Sequence, residues 1–245
     1  MKNDFFALYD AIIAGVESRE TIERAVIGER WALVETKENS GMAMFTGGQS
    51  VAPMFSGFEG LTLREAAGAV KSWNLEEASL GLAAANAFYN TPERLEALGA
   101  RISMDVFYTD GIDLCGRTVG IIGHMNGPKG LREQAKAVYT LERVPQEGDF
   151  PDSACDYLLP QCDLVLITGS TLTNKTLPHL LELCERAIVI LTGPSVPLCP
   201  ALLDCGIDRI AGMAIADRGS IRERVESGQR GSPYASGIPF LMIKK

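Results

Sequence analysis

The sequence predicts an α/β protein in which a small α+β domain precedes a doubly wound parallel sheet. Residues 118–191 contain short, wholly apolar runs separated by helical stretches, as is typical of parallel strands buried on both faces. Residues 1–112 instead combine β-rich runs, which indicate an antiparallel meander, with a pair of helices. The charge differs as well: residues 1–112 carry 9 Lys/Arg and 16 Asp/Glu (net −7), and residues 113–245 carry 14 and 15 (net −1).

The first domain is predicted to span residues 1–112. Apolar residues recur at helical spacing near its start, and two β-rich runs follow. Five glycines between 41 and 60 indicate loops or a hairpin. Thr62 and Glu65 have the spacing of a capping box, which begins a helix. The predicted elements are a helix at 4–16, strands at 22–27 and 31–36, and helices at 62–71 and 75–89.

The second domain is predicted to span residues 113–245, with a linker near 110–115. Its apolar runs alternate with helical stretches, so neighbouring strands are expected to be parallel. An apolar tail is expected to supply a last strand at the edge of the sheet. The predicted strands are at 118–122, 135–141, 164–168, 187–191 and 238–243, and the predicted helices are at 177–184, 200–203 and 220–226.

Composition excludes several classes of protein. The net charge of −8 and the lack of a basic run argue against a nucleic-acid partner. No apolar stretch approaches the roughly 18 residues of a membrane span, and the acidic N-terminus does not resemble a signal peptide. A cytoplasmic protein is therefore expected, and a homo-oligomer stays open. The six cysteines form no CxxC pair, and most are expected to be small buried hydrophobic residues.

Three loops carry the predicted chemistry. In an open parallel sheet, ligands bind beyond the carboxyl ends of the strands, where the strand order reverses. Glycines, hydroxyls and free backbone N–H groups in these loops favour a phosphate or carboxylate. The loops are residues 123–130, with Gly123, Asn126 and Gly127; residues 169–176, with Gly169, Ser170, Thr171, Asn174 and Thr176; and residues 192–195, with Gly193, Pro194 and Ser195.

The first loop does not match the dinucleotide fingerprint. A G-x-G-x-x-G motif requires glycines where this chain has Met125 and Pro128, so a standard NAD site is not expected. Glu142 lies 19 residues after Gly123 at the end of the second predicted strand, where an acid commonly accepts hydrogen bonds from ribose hydroxyls. A solvated strand-end glutamate is the alternative. A nucleoside-bearing ligand such as S-adenosylmethionine therefore stays open, as does a metal ion.

His124 and Asn86 are the candidate catalytic residues. His124, in the first loop, is suited to acid–base work near neutral pH or to metal ligation, and a helix-capping role is the alternative. Asn86 lies on a stripe of the 75–89 helix that is expected to face the second domain. Two roles are open for its amide group: contact with a ligand across the interface, or a hydrogen bond within the interface. Lys175 is expected to be solvated, with a phosphate contact as the alternative, and Glu35 is a weaker candidate for the cleft.

Four segments together resemble a known family: SLGLAAANA at 79–87, ITGSTLTNKTLPHLLEL at 167–183, LTGPSVPLCPALLDCGID at 191–208 and IAGMAIAD at 210–217. The chain resembles the putative heavy-metal chelation family, domain of unknown function family 364. The resemblance implies a first domain like the enolase N-terminal fold, a Rossmann-like second domain and a cleft between them. It also implies that the motif glycines and hydroxyls of the three loops, together with Asn86, line this cleft.

The expected function is that of an enzyme acting on an anionic small molecule in the interdomain cleft. The molecule is expected to be a chelator, a pterin or flavin, or a nucleotide-related compound. One alternative is a non-catalytic metallochaperone or metal-chelate-binding protein. Another is an S-adenosylmethionine-dependent enzyme similar to a methyltransferase.

Overall fold

Two sheets, one antiparallel and one mostly parallel, organise the chain. The computed structural model describes residues 5–47, 51–103, 105, 107–125, 127–229 and 231–244. Within these ranges the strands form one sheet of three strands, the small sheet, and one of eight, the large sheet. The predicted α/β class is confirmed. None of the described helices is long and apolar enough to cross a membrane.

The small sheet is the predicted antiparallel meander, and helices pack against it. Its strand order is β1-β2-β3. A Cβ atom on Gly41 of β3 would overlap the backbone of Ala83 and Ala87, so this glycine lets the long helix α3 lie directly on the sheet. The elements are α1 (Ala7–Ala14), β1 (Ile22–Ile27), β2 (Trp31–Thr36), β3 (Ser40–Met44), α2 (Leu63–Ala67), α3 (Leu75–Tyr89) and α4 (Pro92–Ala97).

The predicted helix at 62–71 is shorter than expected. Thr62 caps it through the predicted capping box with Glu65, in which the Thr62 side chain accepts the Glu65 N–H and the Glu65 carboxylate accepts the Thr62 N–H. The α-helix ends at Ala67 and continues as a 3₁₀ turn from Gly68 to Lys71. Glycine at the junction is a poor helix former, which accounts for the change.

The large sheet has the order β4-β11-β10-β9-β8-β5-β6-β7. From β10 to β7 in this order, neighbouring strands are parallel, whereas β11 is antiparallel to both β10 and β4. The elements are β4 (Arg101–Ile102), β5 (Thr118–Ile122), α5 (Leu131–Gln134), β6 (Ala137–Glu142), β7 (Phe150–Pro151), α6 (Cys155–Leu158), β8 (Leu164–Thr168), α7 (Ser170–Thr173), α8 (Leu177–Leu183), β9 (Ile188–Thr192), β10 (Arg209–Ile215), α9 (Arg218–Glu226) and β11 (Gly237–Ile243).

Several predictions for the large sheet need correction. The tail strand β11 is present, but it is not an edge strand, because β4 pairs with it on its outer side. Strand β10 was not predicted, and residues 200–205 form a 3₁₀ helix rather than an α-helix. Because β4 precedes residue 113 and joins the large sheet, this sheet includes residues from both sides of the predicted boundary at 112/113.

The strand order reverses between β5 and β8. From β5 the chain runs to β6 and β7 on one side and then returns to β8, β9 and β10 on the other. The loops that follow β5 and β8 therefore diverge at the carboxyl edge of the sheet and leave a crevice between them, the usual place for a ligand in such folds.

Side chains join the small-sheet part to the large-sheet part. Asn90 ends α3, donates to the Val196 and Met213 carbonyls and accepts the Leu198 N–H at 2.8 Å. Glu35, on β2, is buried and forms a bidentate ion pair with Arg222 of α9 at 2.8 and 3.0 Å. Glu35 is thus occupied by structural contacts.

Candidate functional site

A cavity of about 510 Å³, here called the strand-end cavity, opens at the predicted crevice. Its walls come from the ends of β5, β6 and β8 and from the segments that follow them. Its size lies within the range of cavities that bind small molecules. It is lined by Ile122, Gly123, Leu141, Glu142, Arg143, Asp152, Ser153, Cys155, Asp156, Thr168, Ser170, Thr171, Asn174, Lys175, Thr176, His179 and Leu180.

Gly123 shapes one wall of the strand-end cavity. Its φ is +99°, a conformation that glycine adopts without strain. A Cβ atom at this position would lie 2.9 Å from Cγ2 of Thr168. The glycine therefore lets the loop after β5 turn tightly beside the end of β8, and it leaves the backbone open towards the cavity.

The segment after β8 supplies hydroxyl and amide groups. Thr171 donates to the Thr168 carbonyl at 2.6 Å, and the Ser170 hydroxyl lies 3.2 Å from that of Thr168. The Asn174 Oδ1 accepts both the backbone N–H and the hydroxyl of Thr176. These bonds hold the segment in one conformation and leave the Asn174 Nδ2 group as a donor.

Lys175 is buried in the same wall, which corrects the expectation that it is solvated. Only 4% of the residue is exposed, and its backbone has φ = +66°, which is uncommon for a residue other than glycine. Its Nζ donates to the Thr173 carbonyl at 2.7 Å. Burial lowers the pKa of Lys175 to about 8, because desolvation disfavours the ammonium. Such a lysine, in a cavity, is typical of a functional site.

His179 and Cys155 also line the strand-end cavity. The His179 Nε2 lies 3.0 Å from the Asp156 carboxylate, and its Nδ1 lies 3.7 Å from that of Glu182. Cys155 is buried, and desolvation raises its thiol pKa to about 11, so it is protonated at neutral pH. Of the two histidines in the sequence, the one that lines the cavity is thus His179.

A second cavity of about 570 Å³, here called the hairpin cavity, adjoins the first. The β1–β2 turn and the end of β3 form one wall, and the ends of β6 and β8 form the other. The two cavities share Glu142, Arg143, Ser170 and Asn174, so a single ligand can extend from one to the other. The hairpin cavity is lined by Arg30, Met44, Phe45, Thr46, Gly47, Glu142, Arg143, Val144, Ser170 and Asn174.

The structure brings together six of the candidate site residues. Those that line the strand-end cavity are Gly123, Glu142, Ser170, Thr171, Asn174 and Thr176. Asn126 lies outside the described residues. The candidates that are not among the described lining residues of either cavity are Asn86, His124, Gly127, Gly169, Gly193, Pro194 and Ser195.

Asn86 is buried between α3 and β3. Its Nδ2 donates to the Met42 carbonyl at 2.7 Å, and its Oδ1 has no hydrogen-bond partner among the described residues. The amide that crosses to the other part of the molecule is instead that of Asn90, one helical turn further on. The helical period places both asparagines on one side of α3, so the pattern alone did not distinguish them.

His124 lies at the surface. Its side chain is half-exposed, and its Nδ1 lies 3.2 Å from the Asp149 carboxylate, which also accepts the Gln146 N–H. Gly127 has φ = +72°, and a Cβ atom there would lie 2.7 Å from Leu131, so the turn itself accounts for this glycine.

The loop after β9 is occupied by contacts with the small-sheet part. The Ser195 hydroxyl is buried and accepts the Met44 N–H at 2.7 Å. A Cβ atom on Gly169 would lie 2.7 Å from Val196, so this glycine lets the loops after β8 and β9 approach each other. The third predicted loop thus contributes contacts between the two parts of the molecule.

Comparison with known families decides the classification. Residues 109–239, more than half of the chain, match the family described as putative heavy-metal chelation, domain of unknown function 364. The chain belongs to this family. Residues 9–89 match a second family with the same description, domain of unknown function 4213.

One curated relative aligns with part of the chain. An uncharacterised protein of Methanocaldococcus jannaschii is 31% identical over 153 residues. This match covers 60% of the present chain and 58% of the archaeal protein, so the chain spans somewhat more than half the length of this relative.

Two crystal structures of family members share the fold. The protein from Desulfitobacterium hafniense DCB-2 has a TM-score of 0.88 and 33% identity over 98% of both chains. The protein from Pyrococcus horikoshii has a TM-score of 0.78 and 23% identity over 98% of this chain and 99% of its own. Both are described as proteins of unknown function.

The family description raises the question of a metal site. In the ranges that the structure covers, no group of three or more His, Cys, Asp or Glu side chains is placed to hold a metal ion.

Proposed function

We propose that this member of the family is an enzyme that binds an anionic small molecule across the two adjoining cavities. Lys175 carries the proposal, because a buried lysine without a carboxylate partner among the described residues gains from an anionic ligand. The candidate ligands are chelators, pterins or flavins, and nucleotide-related compounds. Neither part of the molecule is expected to bind the ligand alone, since the hairpin cavity has walls from both.

The role of Lys175 is to attract the anion and to transfer a proton. With a pKa of about 8, its Nζ is mainly an ammonium at neutral pH, but the neutral amine is also populated. A group whose pKa lies near the working pH is suited to general acid–base catalysis. The Thr173 carbonyl, which accepts from Nζ at 2.7 Å, orients the group at the cavity wall.

Glu142 supports a nucleoside-type ligand, such as S-adenosylmethionine, as a second candidate. It ends β6, the strand after the glycine loop of β5, and it lines both cavities. One carboxylate oxygen accepts the Arg143 N–H at 2.7 Å. The other oxygen has free acceptor positions for the hydroxyls of a ribose, as acids at this place in nucleotide-binding sheets do.

The test is a titration of the ¹⁵N-labelled full chain with AMP, S-adenosylmethionine and 6-carboxypterin, followed by NMR. At least one probe is expected to perturb the amide signals of Gly123, Ser170 and Thr176. Lys175→Met is expected to weaken binding of that probe by about tenfold, since it removes a charged contact. Perturbations that all map outside the two cavities, or an absence of binding by all three probes, would overturn the proposal.

A matched control separates local from general charge effects. Lys37 is 83% exposed and lies outside the described lining of both cavities. Lys37→Met changes the net charge by the same amount as Lys175→Met, and it is expected to leave binding unchanged. An equal loss of affinity in both variants would show that Lys175 acts only through the net charge.

A further inference from the structure

Two arginines line the hairpin cavity from opposite walls. Arg30 lies in the turn between β1 and β2, and Arg143 follows the last residue of β6. Both residues are exposed. Neither guanidinium makes a hydrogen bond or ion pair with another described residue. The cavity thus has a cation on each wall.

Other arginines that join the two parts of the molecule are paired. Arg24 pairs with Glu226, and Arg222 pairs with Glu35. Arg218 donates to Ser40 and to two backbone carbonyls. These three arginines thus have partners in the fold, whereas the Arg30 and Arg143 guanidiniums have none among the described residues.

The carboxylate in the hairpin cavity does not neutralise these cations. It belongs to Glu142, and one of its oxygens is bound to the Arg143 backbone N–H rather than to a guanidinium. Two guanidinium groups and one carboxylate leave an excess of positive charge in the cavity. An anionic group would therefore be attracted to it.

Neutral donors complete the cavity. The Thr46 Oγ1 atom is buried and has no hydrogen-bond partner in the described part of the chain. A buried hydroxyl without a partner is costly, and a ligand oxygen would satisfy it. On the opposite wall, the Ser170 hydroxyl and the Asn174 Nδ2 group are available to donate. The donors therefore lie on both walls, like the two cations.

We propose that the hairpin cavity binds a phosphate group between Arg30 and Arg143, and that the ligand is a phosphate ester whose remaining part occupies the strand-end cavity. This inference rests on the proposed function and specifies the class of its ligand. A phosphate has three terminal oxygens in different directions, so guanidiniums on opposite walls and the Thr46 hydroxyl can each bind a different one. A carboxylate has only two oxygens in one plane and suits a single guanidinium better.

The ligand also joins the two parts of the molecule. Arg30 and Thr46 belong to the small-sheet part, whereas Arg143, Ser170 and Asn174 belong to the large-sheet part. Binding of one phosphate by both walls would hold them at a defined distance. The bridged phosphate would then place the rest of the ester next to Glu142 and Lys175 in the strand-end cavity.

The test follows the arginine Nε–Hε signals of the ¹⁵N-labelled full chain during titration with inorganic phosphate, with acetate as the comparison. The signals of Arg30 and Arg143 are expected to shift along one saturating curve with phosphate at millimolar concentrations, and to respond less to acetate. Arg30→Gln and Arg143→Gln are each expected to weaken phosphate binding by about fivefold, since each removes a charged donor. The double variant is expected to lose less phosphate affinity than the product of the two single-variant factors, because both residues bind the same ion.

Arg19→Gln is the control, because Arg19 is exposed and lies outside the described lining of both cavities. If Arg19→Gln weakened phosphate binding as much as Arg30→Gln or Arg143→Gln does, the binding would depend only on the net charge. The inference would then be wrong. It would also be wrong if phosphate shifted neither Arg30 nor Arg143.

The result with S-adenosylmethionine and 6-carboxypterin keeps the two proposals apart, because neither probe carries a phosphate. If these probes perturb the strand-end cavity but phosphate does not perturb the hairpin cavity, the proposed function stands and the phosphate subsite is rejected. If phosphate binds at Arg30 and Arg143 but Lys175→Met changes the binding of no probe, the subsite stands and the role of Lys175 is rejected.

Discussion

The loops after β8 and β9 are similar in sequence but differ in their surroundings. Both begin with Thr-Gly at the end of a parallel strand and continue with hydroxyl residues. In the loop after β8, Ser170 lines two cavities. In the loop after β9, the Ser195 hydroxyl is buried against the β3 end of the small sheet and accepts the Met44 N–H. One loop is open to a ligand, and the other is part of an interface.

The difference shows that a Gly/Ser loop at the edge of a sheet is not by itself a ligand site. The polar groups of such a loop can form hydrogen bonds either with the protein or with a ligand. Which of the two occurs depends on the segment that packs against the loop. At β9 the neighbours are the end of β3, where the Met44 N–H donates to Ser195, and Asn90, which bonds to Val196 and Leu198. At β8, by contrast, Ser170 and Asn174 line the two cavities. The following changes test this contrast.

The largest expected effect is that of Asn90→Ala. The change leaves the Val196 carbonyl and the Leu198 N–H buried without their partner. Each unpaired buried group costs about 1–3 kcal/mol, so the free energy of unfolding is expected to fall by about 4 kcal/mol. Urea unfolding measures it. Asn86→Ala is the control, because it removes a single hydrogen bond, to Met42. A loss no larger than that of Asn86→Ala would show that Asn90 does not hold the β9 loop.

The next test uses Lys175, in the segment after β8, and measures how the free energy of unfolding depends on pH. Its pKa is about 8 in the folded chain against the ordinary lysine value of 10.5, so between these pH values the unfolded state binds more protons. The stability of the native chain is therefore expected to rise with pH across this window, by up to about 3 kcal/mol. Below pH 8 the cost of burying the ammonium is fully present.

Lys175→Met is expected to remove this rise, because methionine does not titrate. Urea unfolding of both proteins between pH 8 and 10.5 gives the difference and cancels the other titrating groups. The Met variant is expected to be the more stable protein at neutral pH. Parallel stability curves for the two proteins would mean that Lys175 is not desolvated in the folded chain.

Ser195→Ala is expected to have a smaller effect, confined to stability. It removes the acceptor of the Met44 N–H and should lower the free energy of unfolding by about 1 kcal/mol. Ligand affinity in the NMR titration is expected to stay unchanged, since Ser195 lies outside the described lining of both cavities. Weaker ligand binding without a loss of stability would remove the distinction between the two loops.

Ser170→Ala is the matched change in the β8 loop, and it has the smallest expected effect on stability. The Ser170 hydroxyl contacts that of Thr168 and is partly exposed, so the loss is expected to be below about 0.5 kcal/mol. Affinity for the best of the NMR probes is expected to fall by about threefold to tenfold, because one neutral hydrogen bond is lost. A stability loss as large as that of Ser195→Ala would place Ser170 in a structural role instead.

Local patterns were sufficient for much of the large sheet. The apolar runs at β5 and β8 coincide with the predicted strands, because full burial on both faces leaves an uninterrupted apolar sequence. In the small-sheet part, the capping box was predicted from the spacing of Thr62 and Glu65, and the long helix α3 was predicted at its observed bounds. Strand β10 was missed, although its run is apolar, because Gly212 and its alanines lack the β-branched signal that favours a strand.

The candidate site was predicted only as a region. The loops after β5 and β8 meet at the strand-end cavity, as the rule for open parallel sheets predicts. Lys175 was expected to be solvated, as a residue in the first turn of a helix. Its burial depends on the left-handed backbone at that residue and on the walls that surround it.

The sequence by itself thus determined the α/β class, the strands of the crevice and the family, because these depend on periodicity and on motifs that are local in the chain. The tertiary structure decided which polar groups are free. Asn90 rather than Asn86 forms hydrogen bonds to the other part of the molecule, and Ser195 is bound to Met44. Arg30 and Arg143, which are more than a hundred residues apart in the sequence, line the same cavity. Burial and hydrogen-bond partners depend on contacts between distant segments, and a local pattern carries no information about those contacts.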